Sequence, residues 1–401
     1  MKKIMAFCLF VMLFTVAARA HTRDEVRAAY AAVRLTDETP YAQTPSVTAP
    51  YASGALTEDA LTSALDELNF IRYLAGLAPV VNSDLYTDRA QRAAVLLAAL
   101  DYVDHDAPRP SNMEDNFYVS AHLGTESSNI ARLNWMRPSI LKDGVDYFAR
   151  DDGDANLDAL GHRRWVLNPM MGATGFGLAN SAEGMSYVVM YAHDFSVQAD
   201  WEQVCWPGAG AFPAELMHAD LAWSVSLNPD VYGNDLRDVT ITLTETVSGM
   251  TFTFRPRGAS DGFCTINTEN YGSGPCIIFR PDFTGTDFTD YRQNQIWTVT
   301  LTGNVELTYT VEMISLYPQE AVNVEMDVTE LALNVGDTET LTACVVPDYA
   351  DDLSVMWSSS DVRIATVDVF GNVTAHESGN CEITAAIANG REDVCKVVVF
   401  D

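Results

Sequence analysis

Gly161-His162-Arg163-Arg164-Trp165-Val166-Leu167-Asn168-Pro169, followed by Gly175-Phe176-Gly177-Leu178, decides the reading of the first half of the chain. Pro169 cannot continue a helix, so a helix beginning near Leu157 is expected to stop before it. Gly175–Leu178 and Tyr187-Val188-Val189-Met190-Tyr191 then read as two strands joined by the turn Asn180–Gly184. Upstream, Thr57 is a natural N-cap, with Glu58 and Asp59 at the positive end of the helix dipole. Leu61, Leu65, Leu68, Ile71 and Ala75 form one apolar stripe, and Gly76 is a C-terminal stop. A second helix is expected over Asp84–Tyr102, with Leu85, Ala90, Ala93, Leu97 and Leu100 inward. Ala107–Asp158 is rich in Asn, Asp, Ser and Pro and reads as long loops with one short helix near Ser139–Phe148. Helices first and an antiparallel hairpin last make this an α+β layered domain.

At the N-terminus, Lys2 and Lys3 precede an apolar run from Ile4 to Val16 that is too short to span a bilayer. Ala18-Arg19-Ala20 fits the small-x-small rule, so residues 1–20 read as a signal peptide cleaved after Ala20. Arg23–Leu35 is expected to form a short helix, and Thr36–Gly54, with Pro40, Pro45 and Pro50, a strap. No later segment is long and apolar enough to be a transmembrane helix. The net charge of −31 argues against nucleic acid or an anionic membrane as partner.

Beyond Trp201 the periodicity changes to two. Val239–Thr244, Thr251–Phe254 and the run from Val299 to Val311 alternate apolar and polar residues, as strands of a small sandwich do. A last set of strands begins near Val322, with turns at Gly336-Asp337, Gly371-Asn372 and Asn389-Gly390. The expected division is 1–20 signal peptide, 21–55 extension, 56–200 α+β domain, 201–320 β-sandwich module and 321–401 second sandwich. Six cysteines follow the signal peptide: Cys205, Cys264, Cys276, Cys344, Cys381 and Cys395. Export permits disulfides, and Cys264 and Cys276, flanking a Gly/Ser/Asn-rich loop, are the easiest pair to close.

Trp357-Ser358-Ser359-Ser360-Asp361, Ile364-Ala365-Thr366-Val367-Asp368 and Gly371-Asn372-Val373-Thr374-Ala375 resemble the bacterial Ig-like group 2 domains. Trp357 would anchor that core and Gly371 make the hairpin turn; the resemblance implies a spacer, stalk or adhesion element. Leu68-Asn69-Phe70-Ile71-Arg72, Ala90-Gln91, Asp104-His105-Asp106, Ser127-Ser128-Asn129-Ile130-Ala131 and the opening Gly161–Gly177 stretch together resemble the CAP superfamily (cysteine-rich secretory, antigen 5 and pathogenesis-related 1) in its bacterial form. That resemblance implies an α-β-α sandwich whose cleft holds two histidines and two acidic groups. His105 and His162 match the histidines. Glu126, three residues before Asn129, is the nearest candidate for the first acid, and Asp143, Asp146 or Asp152 could stand in for the second.

Two neutral imidazoles in a cleft can bind a divalent metal, zinc or calcium, or hold a water. Their other reading is bracing of loop backbone. Asp152, Asp154, Asn156 and Asp158 alternate as in a calcium loop, yet the sixth position is Leu157 and the twelfth Arg163, where an EF-hand has Gly and Glu. A turn that caps the following helix, with Asn156 as N-cap, fits the pattern better. Arg163 and Arg164 read as internal salt-bridge partners, and Trp135 and Trp165 as core or as ligand surface. No nucleophile elbow surrounds Ser127 and Ser128. The leading expectation is a secreted modular protein, in the medium or periplasm, whose CAP-like domain binds an extracellular ligand or cell-surface partner in a cleft of His105, Glu126 and His162. The alternatives are a metal-dependent hydrolase using His105 and His162, and an adhesin that binds through its Ig-like modules.

Overall fold

A computed structural model describes residues 20–35, 39–134, 139–153 and 155–401. The expected signal peptide, apart from Ala20, lies outside the described residues, as do Trp135 and Asp154. The chain is mixed α+β, with helices in the first half and strands throughout the second. It divides into two compact units: the described residues of Met1–Phe212 with Asp220–Asp287 and Trp297–Val311, and Pro213–Ala219 with Phe288–Ile296 and Glu312–Asp401.

In the first unit, α1 (Arg23–Ala31) starts with a reciprocal capping box between Thr22 and Glu25. Helix α2 (Glu58–Leu74) starts on Thr57, whose side chain accepts from the Ala60 N–H. It ends in a Schellman motif: Leu77 N–H donates to Arg72 O and Gly76 N–H to Tyr73 O, with Gly76 at φ +73°. Its deepest side chains are Ala60, Ala64, Leu68, Ile71 and Leu74, so the buried stripe is rotated from the expected one, and Leu61 and Leu65 are half-buried. Ser83 caps α3 (Asp84–Leu100).

The sheet of this region has the strand Ser186–Tyr191 in its middle, antiparallel to Ser128–Leu133 and to Phe176–Asn180. Tyr187 and Val189 pack into one cluster with Ala90, Ala94 and Leu97 of α3 and Phe117 and Ala121 of α4 (Asp115–Glu126). Val188 points the other way, against α5 (Ile140–Arg150). A Cβ at Gly144 would lie 2.5 Å from Val188 Cγ1, so only glycine lets this helix come so close. Helices therefore cover both faces, and the middle strand is buried along its whole length. The Ala90-Gln91 pair has a local cause as well. A Cβ on Gly177 would sit 2.1 Å from Ala90 O, and Gln91 takes the Leu178 N–H on Oε1 (2.9 Å) and donates Nε2 to Leu178 O (2.8 Å).

Three local expectations need correction. Residues 107–158 hold α4 and the strand Ser128–Leu133 besides α5, not mostly loops. Helix α4 has no side-chain N-cap and exposes Val119 and Leu123, so its own sequence signals little; packing on α3 makes it. The helix expected from Leu157 is α6 (Gly161–Val166), because Ala159 and Leu160 close a turn onto Asn156 O.

The following strands build a four-stranded sheet (Gly262–Asn267, Cys276–Pro281, Trp223–Leu227, Gln203–Trp206) and a five-stranded one containing Thr251–Phe254, Thr240–Glu245 and Ile296–Thr302. Trp223 meets Trp297 at 6.3 Å and Phe279 meets Phe254 at 5.2 Å between them. All six cysteines are free thiols. The expected Cys264–Cys276 bond is excluded by register: Cys264 pairs with Phe279, three residues from Cys276, so the two thiols lie on opposite faces.

In the second unit, Leu333, Ile383, Val397 and Val399 share one core with Ala365, Val373 and Ala375 of a three-stranded sheet. Trp357 is half-buried and packs against both apolar clusters of the unit. Gly371 takes φ +83° in the turn before Asn372–Ala375, where a Cβ would stand 2.3 Å from Leu341 O.

Candidate functional site

His105 lies in the turn after α3 and is exposed. Its Nδ1 is 2.8 Å from Thr125 O, and buried Thr125 returns a bond from Oγ1 to His105 O at 2.9 Å. Nδ1 donates to that carbonyl, which leaves Nε2 without a partner among the described residues.

A second imidazole near His105 is one that sequence reading missed. His193, just past the strand Ser186–Tyr191, is held by its N–H bond to Ser127 O (3.1 Å). Partial burial, and then the neighbouring His105, keep the His193 pKa below its ordinary value. Its ring lies 4.2 Å from Trp165, which meets Phe195 edge-on at 5.9 Å. The only available signal was position: the first polar residues after a buried strand are His193-Asp194.

His162 stands three residues before Trp165 on α6, so both face the same side. Its Nδ1 is 3.0 Å from Asp151 Oδ1, which also accepts Asn156 Nδ2 at 2.8 Å. Asp151 Oδ2 takes the N–H groups of His162 (3.0 Å) and Arg163 (3.3 Å), so this buried carboxylate caps α6 and fixes the imidazole. The cap is thus Asp151 and not Asn156. Asp151 follows α5 in a left-handed conformation (φ 47°), which sequence did not announce. Asn129 Nδ2 donates to His162 O (2.9 Å) and holds the helix from the sheet side.

The expected acids are elsewhere. Glu126 lies 3.4 Å from Nδ1 of His122, one turn back on α4, and the other nitrogen of His122 is 3.0 Å from Asp106. The Glu position of the Glu-Asn-Ile motif is Ser128, buried with no partner for its hydroxyl among the described residues. Asp143 accepts from Ser139 Oγ at 3.0 Å, Asp146 pairs with Arg150, and exposed Asp152 bonds neither histidine. Of the calcium-loop candidates, Asp154 lies outside the described residues, and Asn156 spends its amide nitrogen on Asp151. Among the described residues, no three His, Cys, Asp or Glu side chains are placed to hold a metal ion.

Arg163 and Arg164 form no carboxylate salt bridge among the described residues. Arg163 donates to Ala149 O (2.7 Å), Ala222 O (2.6 Å) and Arg150 O. Arg164 donates to Asn267 Oδ1 (2.7 Å), Glu269 O (2.6 Å), Gly274 O (3.0 Å) and Ala159 O, and its guanidinium lies over the Tyr271 ring. Arg72 does the same nearer the sheet, donating to Ala78 O, Val166 O and Asn168 O at 2.8–3.0 Å. Burial pulls Arg72 and Arg163 down to about 10, still well above neutral pH, so both stay charged. These three arginines fix the loops that carry the histidines.

The family model described as "Cysteine-rich secretory protein family" (CAP) matches residues 65–191, and that of "Bacterial Ig-like domain (group 2)" matches 320–398. The chain carries a CAP domain followed by a bacterial Ig-like domain. His105, Asp151 and His162 fall inside the CAP match; His193 falls two residues past its end. A lacto-N-biosidase of Bifidobacterium bifidum is 46% identical over 71 residues, 18% of this chain and 6% of the enzyme. An Ig-like virion protein of Serratia phage KSP90 is 33% identical over 99 residues, 24% of this chain and 36% of that protein. The chain thus spans a small part of these relatives. A C-terminal fragment of intimin, solved with the intimin-binding domain of its translocated receptor, aligns over 50% of this chain and 64% of the fragment. At 14% identity and a TM-score of 0.15, that overlap carries no argument. No helix among the described residues is long and apolar enough to cross a membrane.

Proposed function

We propose that this is an exported modular protein whose CAP domain binds an extracellular ligand or cell-surface partner. The cleft is lined by His105, His193, Trp165 and His162, and the β modules display it. The observation that carries the reading is the pair His105–His193. His105, whose Nε2 has no partner among the described residues, neighbours His193, whose ring lies tilted against that of Trp165 at 4.2 Å, which offers hydrogen bonding and an aromatic face together. Binding is favoured over catalysis because no Ser or Cys nucleophile is hydrogen-bonded to His105, His162 or His193 among the described residues. The finer architecture belongs to the same reading: an α-β-α sandwich over about 56–200, a β-sandwich over 201–320 and an Ig-like sandwich over 321–401. Export rests on the expected cleavage after Ala20. It would leave intact the docking of His21, whose Nε2 is 2.9 Å from Tyr73 O and whose ring lies 3.8 Å from that of Tyr73.

The test uses the full mature chain and a His105→Ala/His193→Ala variant, probed for binding to purified cell-wall polymers and to whole cells. Loss of binding in the double variant is the expected result. Zinc-dependent turnover of peptide or cell-wall substrates, abolished by His105→Ala/His162→Ala, would replace the reading with a hydrolase. Equal binding by residues 312–401 alone would replace it with an adhesin.

A further inference from the structure

Beyond Trp165 and Phe195 the first unit holds a separate cleft of about 920 Å3, between the segment 195–201 and the loops at 228–230 and 268–275. The volume is at the upper end of the range of about 300–1,000 Å3 for small-ligand sites, enough for a short peptide segment. Phe195, Met170 and Trp201 give it apolar surface, and Phe195 is half exposed. Asp200, Asp230 and Glu269 also line it, and no Lys, Arg or His does. Glu269 accepts from Tyr271 Oη at 2.7 Å, whereas the carboxylates of Asp200 and Asp230 have no bond among the described residues.

The wall 198–200 has no regular secondary structure, and the main-chain groups of Gln198, Ala199 and Asp200 make no hydrogen bond among the described residues. The wall is nevertheless fixed at both ends. Val197 N–H donates to Met170 O (3.1 Å), and Asn228 Nδ2 donates to Trp201 O (2.7 Å). A groove with free backbone donors and acceptors, aromatic surface and unpaired negative charge matches an equally amphipathic cation. Peptide backbone meets peptide backbone, aliphatic stems lie on the rings, and ammonium or guanidinium groups reach the carboxylates. A neutral glycan would leave those carboxylates without counter-charge as it desolvates them.

We propose that this cleft binds a peptide segment bearing lysine or arginine alternating with apolar residues. It is distinct from the histidine cleft, so either proposal can fail alone. The experiment measures fluorescence anisotropy of labelled Leu-Lys-Leu-Lys-Leu-Lys against the full mature chain. Because the chain as a whole is strongly acidic, a charge-matched control is essential. Asp200→Asn/Asp230→Asn is expected to weaken binding at least tenfold, and Phe195→Ala several-fold. Glu339→Gln/Glu382→Gln, which removes as much charge from the second unit, and His105→Ala/His193→Ala should leave it unchanged. Equal losses in the two charge pairs, or none in Asp200→Asn/Asp230→Asn, would overturn the proposal. So would chitohexaose binding in this cleft that competes with the peptide and survives Asp200→Asn/Asp230→Asn.

Discussion

The CAP domain and the Ig-like domain are held by different physics. Between 65 and 191 the framework depends on buried charge: Arg72, Arg163 and Arg164 are almost wholly buried, each serving several backbone carbonyls, and Glu67 is buried beside Lys142 at 2.9 Å. Between 320 and 398 no polar or charged side chain is buried among the described residues; alternation and turns do the work. Irregular loops leave carbonyls without sheet or helix partners, and an arginine fork is a compact way to satisfy several at once. Those loops are where the histidines sit. A ladder of paired strands needs no such clamp and carries no comparable polar constellation.

Arg163→Ala should sharpen this contrast most. It orphans the carbonyls of Ala149, Arg150 and Ala222, and is expected to destabilise the first unit by about 4 kcal/mol while leaving the second unit's unfolding unchanged. Chemical denaturation followed by domain-specific fluorescence would show it; a loss under 1 kcal/mol would mean the clamp is dispensable.

Lys142→Met comes next, at about 3 kcal/mol near pH 7, because Glu67 stays buried without its cation. Burial already raises the Glu67 pKa above its ordinary 4.5, with Lys142 opposing that rise. A group whose folded pKa is raised loses stability as pH climbs above its unfolded value. The penalty should therefore shrink toward pH 4.5, and denaturation of variant and parent at pH 7 and pH 5 checks the sign.

Trp357→Ala probes the other side of the comparison. The ring is half-buried between two apolar clusters, so about 2 kcal/mol is expected, confined to the second unit. A loss in the first unit's transition would break the separation of the two frameworks.

The smallest effect concerns His193. Its lowered folded pKa means its contribution is intact above about pH 6.5 and declines as pH falls below that value. His193→Gln should flatten the dependence of Tm on pH between 7.5 and 5.5; an unchanged slope would separate His193 from His105.

Much of this was legible in the residues. Thr57 and Gly76 bound α2 because caps are local chemistry, and Thr240–Glu245 alternates because a strand has two faces. His105 and His162 were singled out because each sits in a recognisable local pattern. Helix α4 was not legible, because its stability comes from α3 rather than from its own pattern. Glu126 was misplaced for a related reason: nearness in sequence to Asn129 does not fix direction, and a residue four positions after His122 on a helix turns toward it.

By itself, then, the sequence determined where most helices and strands run and that a CAP domain precedes an Ig-like one. Tertiary structure alone decided which groups meet His105 and His162. Asp151 reaches His162 from eleven residues upstream through a left-handed turn, and His193 reaches His105 from the far end of a strand. It also decided that Arg163 and Arg164 serve carbonyls rather than carboxylates. Side-chain partners are set by which loops fold onto which, and a one-dimensional pattern records periodicity and capping but not that meeting.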